Sequence, residues 1–217
     1  MIDGPKRSQK NMKGFTILEL LMATAVFSVV LVLVTMGIMQ ITRVYYKGVT
    51  ESNTQNTART IIDTVSQAIQ FSGGDVTTTP VSVAPGTDYA FCVGNEQFTY
   101  RLGWQVENRL DIPNNQTWHA LVQDAVADSG CGTTMPILTQ EDVDGRDLVG
   151  EHMRLSDLSV QMLSENMYRV SVKVAYGEDD LFNGNATLPS ASCKGQNAGS
   201  AFCSVAELST IVIKRVQ

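Results

Sequence analysis

The sequence predicts an α+β chain: a long N-terminal α-helix, transmembrane over its first half, packed on an antiparallel β-sheet head. Three observations carry this reading. Residues 15–41 hold one formal charge, Glu19, in 27 positions. A one-sided apolar stripe follows at helical spacing. The last third of the chain alternates apolar and polar residues in two runs separated by a short polar turn.

The apolar run is long enough to span a bilayer, which takes about 20 such residues in a helix. A carboxylate inside such a run costs about 2.5–3.5 kcal/mol if it sits at the helix centre. Glu19 therefore calls for a cationic partner. Residues 15–71 contain no proline, and the first strong breaker is Gly73-Gly74. A helix over that stretch would be about 85 Å long at 1.5 Å per residue. Its later part presents Ala58, Ile61, Ile62, Val65, Ala68 and Ile69, the i, i+3/i+4, i+7 pattern of a helix laid on a core.

Beyond the helix, residues 72–88 read as a linker with Pro80 and Pro85. Residues 89–93 and 97–106 read as strands, and residues 119–126 as a strand or a short helix. The clearest hairpin joins residues 158–163 to residues 167–176 through Ser164-Glu165-Asn166. Residues 177–204 form an acidic, Gly- and Ser-rich excursion. The chain closes on a β-rich segment, 208–216, that ends in Lys214 and Arg215. A long helix and an antiparallel sheet each supply the apolar cover that the other lacks.

Charge is unevenly placed in the 217 residues. Lys6, Arg7, Lys10 and Lys13 crowd the start, whereas residues 15–217 hold 12 basic and 21 acidic side chains. The basic start suits a segment kept in the cytoplasm beside a membrane helix. The acidic remainder does not favour nucleic acid, whose phosphates are bound by Lys and Arg. Cys92, Cys131, Cys193 and Cys203 all follow the apolar run. Four cysteines allow three disulfide connectivities. The nearest-neighbour scheme pairs Cys92 with Cys131 and Cys193 with Cys203; buried free thiols are the alternative. No CxxC and no Cys/His cluster points to zinc.

The junction Lys13-Gly14-Phe15-Thr16-Ile17-Leu18-Glu19 resembles the cleavage and methylation signature of type IV prepilins and type II secretion pseudopilins. In that family an aspartyl prepilin peptidase cuts after the glycine on the cytoplasmic face and methylates the new N-terminal Phe. The resemblance implies removal of residues 1–14 as a leader, with Gly14 before the scissile bond and Phe15 as the mature N-terminus. It implies a filament-core helix over 15–41, an amphipathic continuation over 42–72 and a globular, β-rich pilin-like head over 73–217. Glu19 would neutralise the N-terminal amine of a neighbouring subunit during assembly. The implied partners are the peptidase, other pilin or pseudopilin subunits, the inner-membrane assembly platform and, before assembly, membrane lipid. The implied location is a single pass in the cytoplasmic membrane with the head outside, then a cell-surface or periplasmic filament.

Many major pilins carry a proline midway through the apolar helix. Here that region reads Thr35-Met36-Gly37, which leans toward a minor subunit. The late hairpin, the loop and the final basic-ended strand are similar to J-type minor pseudopilins and W-type minor pilins, which prime assembly at a filament tip. An enzyme is not expected: His119 and His152 are isolated in sequence, and neither a nucleophile elbow nor a phosphate loop is present. No cofactor is implied. Asp142, Asp144 and Asp147 flank Gly145 and can offer oxygens to Ca²⁺, but they lack the EF-hand spacing, and a solvated acidic turn is the other reading. Trp104 and Trp118 read as core or edge packing. The competing functional class is a membrane-anchored adhesin or sensor domain that never polymerises.

Overall fold

The computed structural model describes residues 14–83, 88–109, 116–126, 130–134, 136–139, 145–183, 190–195 and 199–215. The leader up to Lys13, and Asp142 and Asp144, lie outside the described residues. By packing, the chain divides into two units, residues 1–43 and residues 44–217. One helix, α1 (Ile17–Phe71), supplies the described helical part of the first unit and opens the second. It runs through Gly37 without interruption.

In the first unit every side chain from residue 14 to residue 43 is exposed. The hydroxyls of Thr24, Ser28, Thr35 and Thr42 donate to carbonyls three or four residues back, at 2.6–3.0 Å. They thereby satisfy themselves within the helix. The result is an apolar surface with few polar demands.

The second unit is an α+β body. Its first sheet has strand order β1-β2-β3-β6-β7, built from β1 (Val81–Val83), β2 (Asp88–Val93), β3 (Glu96–Tyr100), β6 (Leu121–Ala125) and β7 (Arg146–Asp147). Between β3 and β6 lies the small antiparallel pair β4 (Glu107–Arg109) and β5 (Gln116–Trp118). The second sheet has the order β12-β9-β8, from β8 (Met153–Ser164), β9 (Met167–Tyr176) and β12 (Ser204–Ile213). Inside the late excursion, β10 (Phe182–Asn183) pairs with β11 (Ser192–Cys193). All of these pairings are antiparallel, and the layout matches a pilin-like fold.

The helix buries one stripe against both sheets. Ala58, Ile61, Val65 and Ile69 are fully buried among Phe91, Phe98, Leu121, Leu155, Val170, Val172 and Val174. The stripe begins earlier than the apolar pattern suggests. Thr50 and Thr54 are buried too, and Thr54 Oγ1 donates to the Thr50 carbonyl at 2.8 Å. A threonine bonded back to its own helix offers only its methyl outward, so it serves as an apolar residue.

The C-terminal end of α1 meets the last residues of the chain. The Arg215 N–H donates to the Gln70 carbonyl at 3.1 Å, and Lys214 Nζ donates to the Gly74 carbonyl at 2.7 Å. The helix has no basic residue in its own last turn, so the ammonium of Lys214 supplies the positive charge that its C-terminus favours. Gly74 and Gly94 let two backbones touch here: a Cβ on Gly74 would fall 2.7 Å from the Gly94 Cα.

Three strand boundaries differ from the sequence expectation. The strand expected over 97–106 stops at Tyr100, because the chain turns at Leu102-Gly103, with Gly103 at φ +75°. The backbone then rejoins β8, where the Gly103 N–H donates to the Leu155 carbonyl and the Val106 N–H to that of Met153. Strands β8 and β12 both begin several residues earlier than their alternation. Their first residues pair in register, Met153 and Ser204 both opposite Tyr176. Residues 119–126 resolve as strand β6.

Ile61→Ala should lower the unfolding free energy by about 2–5 kcal/mol, the cost of a buried large-to-small change. Chemical denaturation of the full chain in detergent measures it, and a loss well under about 1 kcal/mol would contradict the packing. Burial pushes the Asp124 carboxyl up to about 6 from an ordinary 3.8, against the opposing pull of the Gln97 amide. The folded state therefore holds the extra proton in that window, and Asp124 subtracts stability as pH rises through it. Asp124→Asn should gain stability over the wild type between those values. Parallel pH profiles would refute this.

Candidate functional site

The sequence-marked residues sit at the start of α1. Thr16 precedes the first helical residue, Ile17, and Glu19 is the third residue of the helix. The Thr16 N–H and the Thr16 hydroxyl both donate to Glu19 Oε2 at 2.9 Å. The Glu19 N–H donates to Thr16 Oγ1 at 3.2 Å. This is a reciprocal capping box: the threonine serves an orphan helix donor, and the glutamate serves the donor just before the helix. The sequence signal is Thr-x-x-Glu before an apolar run. The isolated acid in an apolar stretch drew attention to Glu19 alone and left Thr16 without a role.

The geometry leaves one oxygen over. Oε2 takes both bonds from Thr16, and Oε1 takes none among the described residues. A carboxylate has room for several donors, so Oε1 can accept from a cation brought to it. Phe15 is 88% exposed and Gly14 is exposed. A Cβ added at Gly14 would meet nothing within 4 Å. Nothing within the described chain therefore demands glycine there.

The other sequence candidates lie in the body. The bridges are Cys92–Cys131 and Cys193–Cys203. The first ties β2 to the loop at Gly130 to Thr134, where the fully buried Gln97 accepts from the Gly132 N–H and donates to the Thr134 carbonyl. The second closes the excursion beside Phe182 and Ala175. Asp147 spends one carboxylate oxygen on His119 Nδ1 at 2.7 Å and the other on the Val149 N–H at 3.0 Å. His119, isolated in the sequence, is thus paired in space. Among the described residues no three His, Cys, Asp or Glu side chains cluster as metal ligands. Trp104 and Trp118 stack at 4.7 Å, with the Arg101 guanidinium over Trp104 at 3.5 Å. Sequence reading also passed over Arg154, which is 2% exposed. It bonds the Gly177 carbonyl, the Gln105 side chain and Asp179, and so pins the start of the excursion to β8.

Residues 9–35 match the family model described as the prokaryotic N-terminal methylation motif. The match covers the junction, the capping box and most of the apolar run, and it marks a type IV pilin-like prepilin signature. No curated protein and no solved structure matches the chain.

Replacing Thr16 by Val removes one partner of the capping box. The first helical turn should lose about 0.5–2 kcal/mol, read as faster amide exchange at residues 17–20 in detergent micelles. Unchanged exchange would show that the box does not hold the helix start.

Proposed function

We propose that the chain is a structural subunit of a type IV pilus, type II secretion or competence filament, a minor pilin or pseudopilin rather than an enzyme. The observation that carries this reading is the Gly14-Phe15 junction placed directly before the Thr16–Glu19 capping box, within the stretch that matches the methylation motif. Prepilin peptidase cuts after Gly14 and methylates Phe15. The exposure of Gly14 and the empty space where its Cβ would stand support a requirement set by the peptidase and not by this fold.

Residues 15–41 first anchor the chain in the cytoplasmic membrane, with the head outside, and then form the core of a filament. α1 is long and apolar enough to cross a membrane, and its apolar half is uncovered among the described residues. Glu19 Oε1 then accepts the Phe15 amine of a neighbouring subunit. A carboxylate moved out of water needs such a partner. The β8–β9 hairpin, the disulfide-closed excursion and the basic end of β12 support a place among minor subunits that prime assembly at a filament tip.

Mass spectrometry of the protein from cells that contain the peptidase should find an N-methylated Phe15 terminus. An intact Met1 terminus, together with absence from sheared filaments, would favour a non-polymerising anchored domain. Glu19→Ala should be cleaved normally and fail to enter filaments, whereas Gly14→Ala should accumulate uncleaved precursor. Wild-type incorporation of Glu19→Ala would remove the pairing argument.

A further inference from the structure

A cleft of about 580 Å³ opens between the helix residues Lys47 and Glu51, β9, β12 and the disulfide-closed end of the excursion. Three lysines line it, Lys47, Lys173 and Lys194, together with Glu51 and Glu207. Among the lining residues cations outnumber carboxylates three to two, on a chain whose residues 15–217 carry nine more acids than bases.

The three ammonium groups are not equivalent. Lys173 is held in place: its Nζ lies 3.4 Å from Glu207, and strand register sets Asp157, Lys173 and Glu207 side by side across the sheet. Lys194 donates one N–H to the Asp180 carbonyl at 2.7 Å, which leaves two of its three donors. Lys47 makes no ion pair among the described residues. Two ammonium groups with spare donors therefore line the same cleft as Glu51, whose carboxylate also makes no ion pair among the described residues. Such a set matches a ligand with a phosphate at one end and an ammonium at the other.

The position of Lys47 in the chain indicates where such a ligand comes from. Lys47 follows Ile41, the end of the apolar run, by six residues. These residues continue α1, so at 1.5 Å per residue Lys47 stands about 9 Å along the helix from Ile41. The polar layer of each leaflet is several Å thick. If residues 15–41 lie in the bilayer, as the proposed function has it, Lys47 stays within reach of lipid headgroups.

We infer that this cleft binds the phosphoethanolamine headgroup of a membrane phospholipid, with Lys47 and Lys194 on the phosphodiester and Glu51 on the ammonium.

The test titrates dihexanoylphosphatidylethanolamine into ¹⁵N-labelled full-length protein in maltoside micelles. Saturable shifts are expected at the amides of Lys47, Glu51, Ser192 and Lys194, with affinity about tenfold weaker in the double variant Lys47→Gln/Lys194→Gln. Glu51→Gln should weaken this lipid and leave dihexanoylphosphatidylglycerol unaffected, a readout that a misfolded variant would not give. Absence of saturable shifts, or equal affinity in the double variant, overturns the proposal. So does inorganic phosphate binding as tightly as the lipid, which would make the cleft a site for free anions. Carbonate washing of membranes from expressing cells tests the anchor separately. If the protein washes off while the titration still saturates, the anchor reading falls and the headgroup site stands.

Discussion

The body depends on one stripe of one helix. From Thr50 to Ile69, α1 presents a face that is buried to its last atom at Ala58, Ile61, Val65 and Ile69. The residues it covers come from both sheets, Phe91, Phe98 and Leu121 from one and Leu155, Val170 and Val172 from the other. Neither sheet has another α-helix among the described residues to bury its apolar face. The end of the helix is fixed by the end of the chain, since Lys214 and Arg215 bond the last turn and the Gly-Gly exit. The exit of the helix and the last described residues thus close on each other.

The same helix behaves differently upstream. There the apolar residues cover the whole circumference and find no cover among the described residues. An apolar surface of that extent marks a site for membrane or protein association. The hydroxyl groups bond inward, and the capping box satisfies the first turn. What remains for a partner is apolar surface and one carboxylate oxygen of Glu19. Few polar groups would have to change partners if that surface passed from lipid to protein, as the proposed filament subunit requires.

The excursions are held by staples instead of core. Cys92–Cys131 and Gln97 fix the loop after β6, while Cys193–Cys203 and Arg154 fix the segment after β9. Arg154 is buried and Asp179 is largely exposed. Losing the acid therefore leaves a desolvated cation, which is the costlier half of such a pair to strand. These staples also shape the lysine-lined cleft, one wall of which is the disulfide itself.

Much of this was legible in the sequence because it is local. A capping motif, an apolar run without proline, a stripe at i, i+3, i+4 and a period-2 hairpin are read along one chain with fixed geometry. So are the basic end of β12 and the cysteine order that matches the two bridges. Other features depend on which residues meet across distance. Thr54 reads as polar until its hydroxyl turns back to Thr50 and its methyl faces the core. His119 and Asp147 stand 28 residues apart, and their meeting follows from the pairing of β6 with β7. Lys47, Lys173 and Lys194 share a cleft only because helix, sheet and excursion converge there. Sequence by itself determined the long apolar helix, the methylation-motif junction and the α+β layout, since backbone periodicity and side-chain polarity act within a few residues. Tertiary structure alone decided the pairings among polar groups, since strand register and loop closure set those distances.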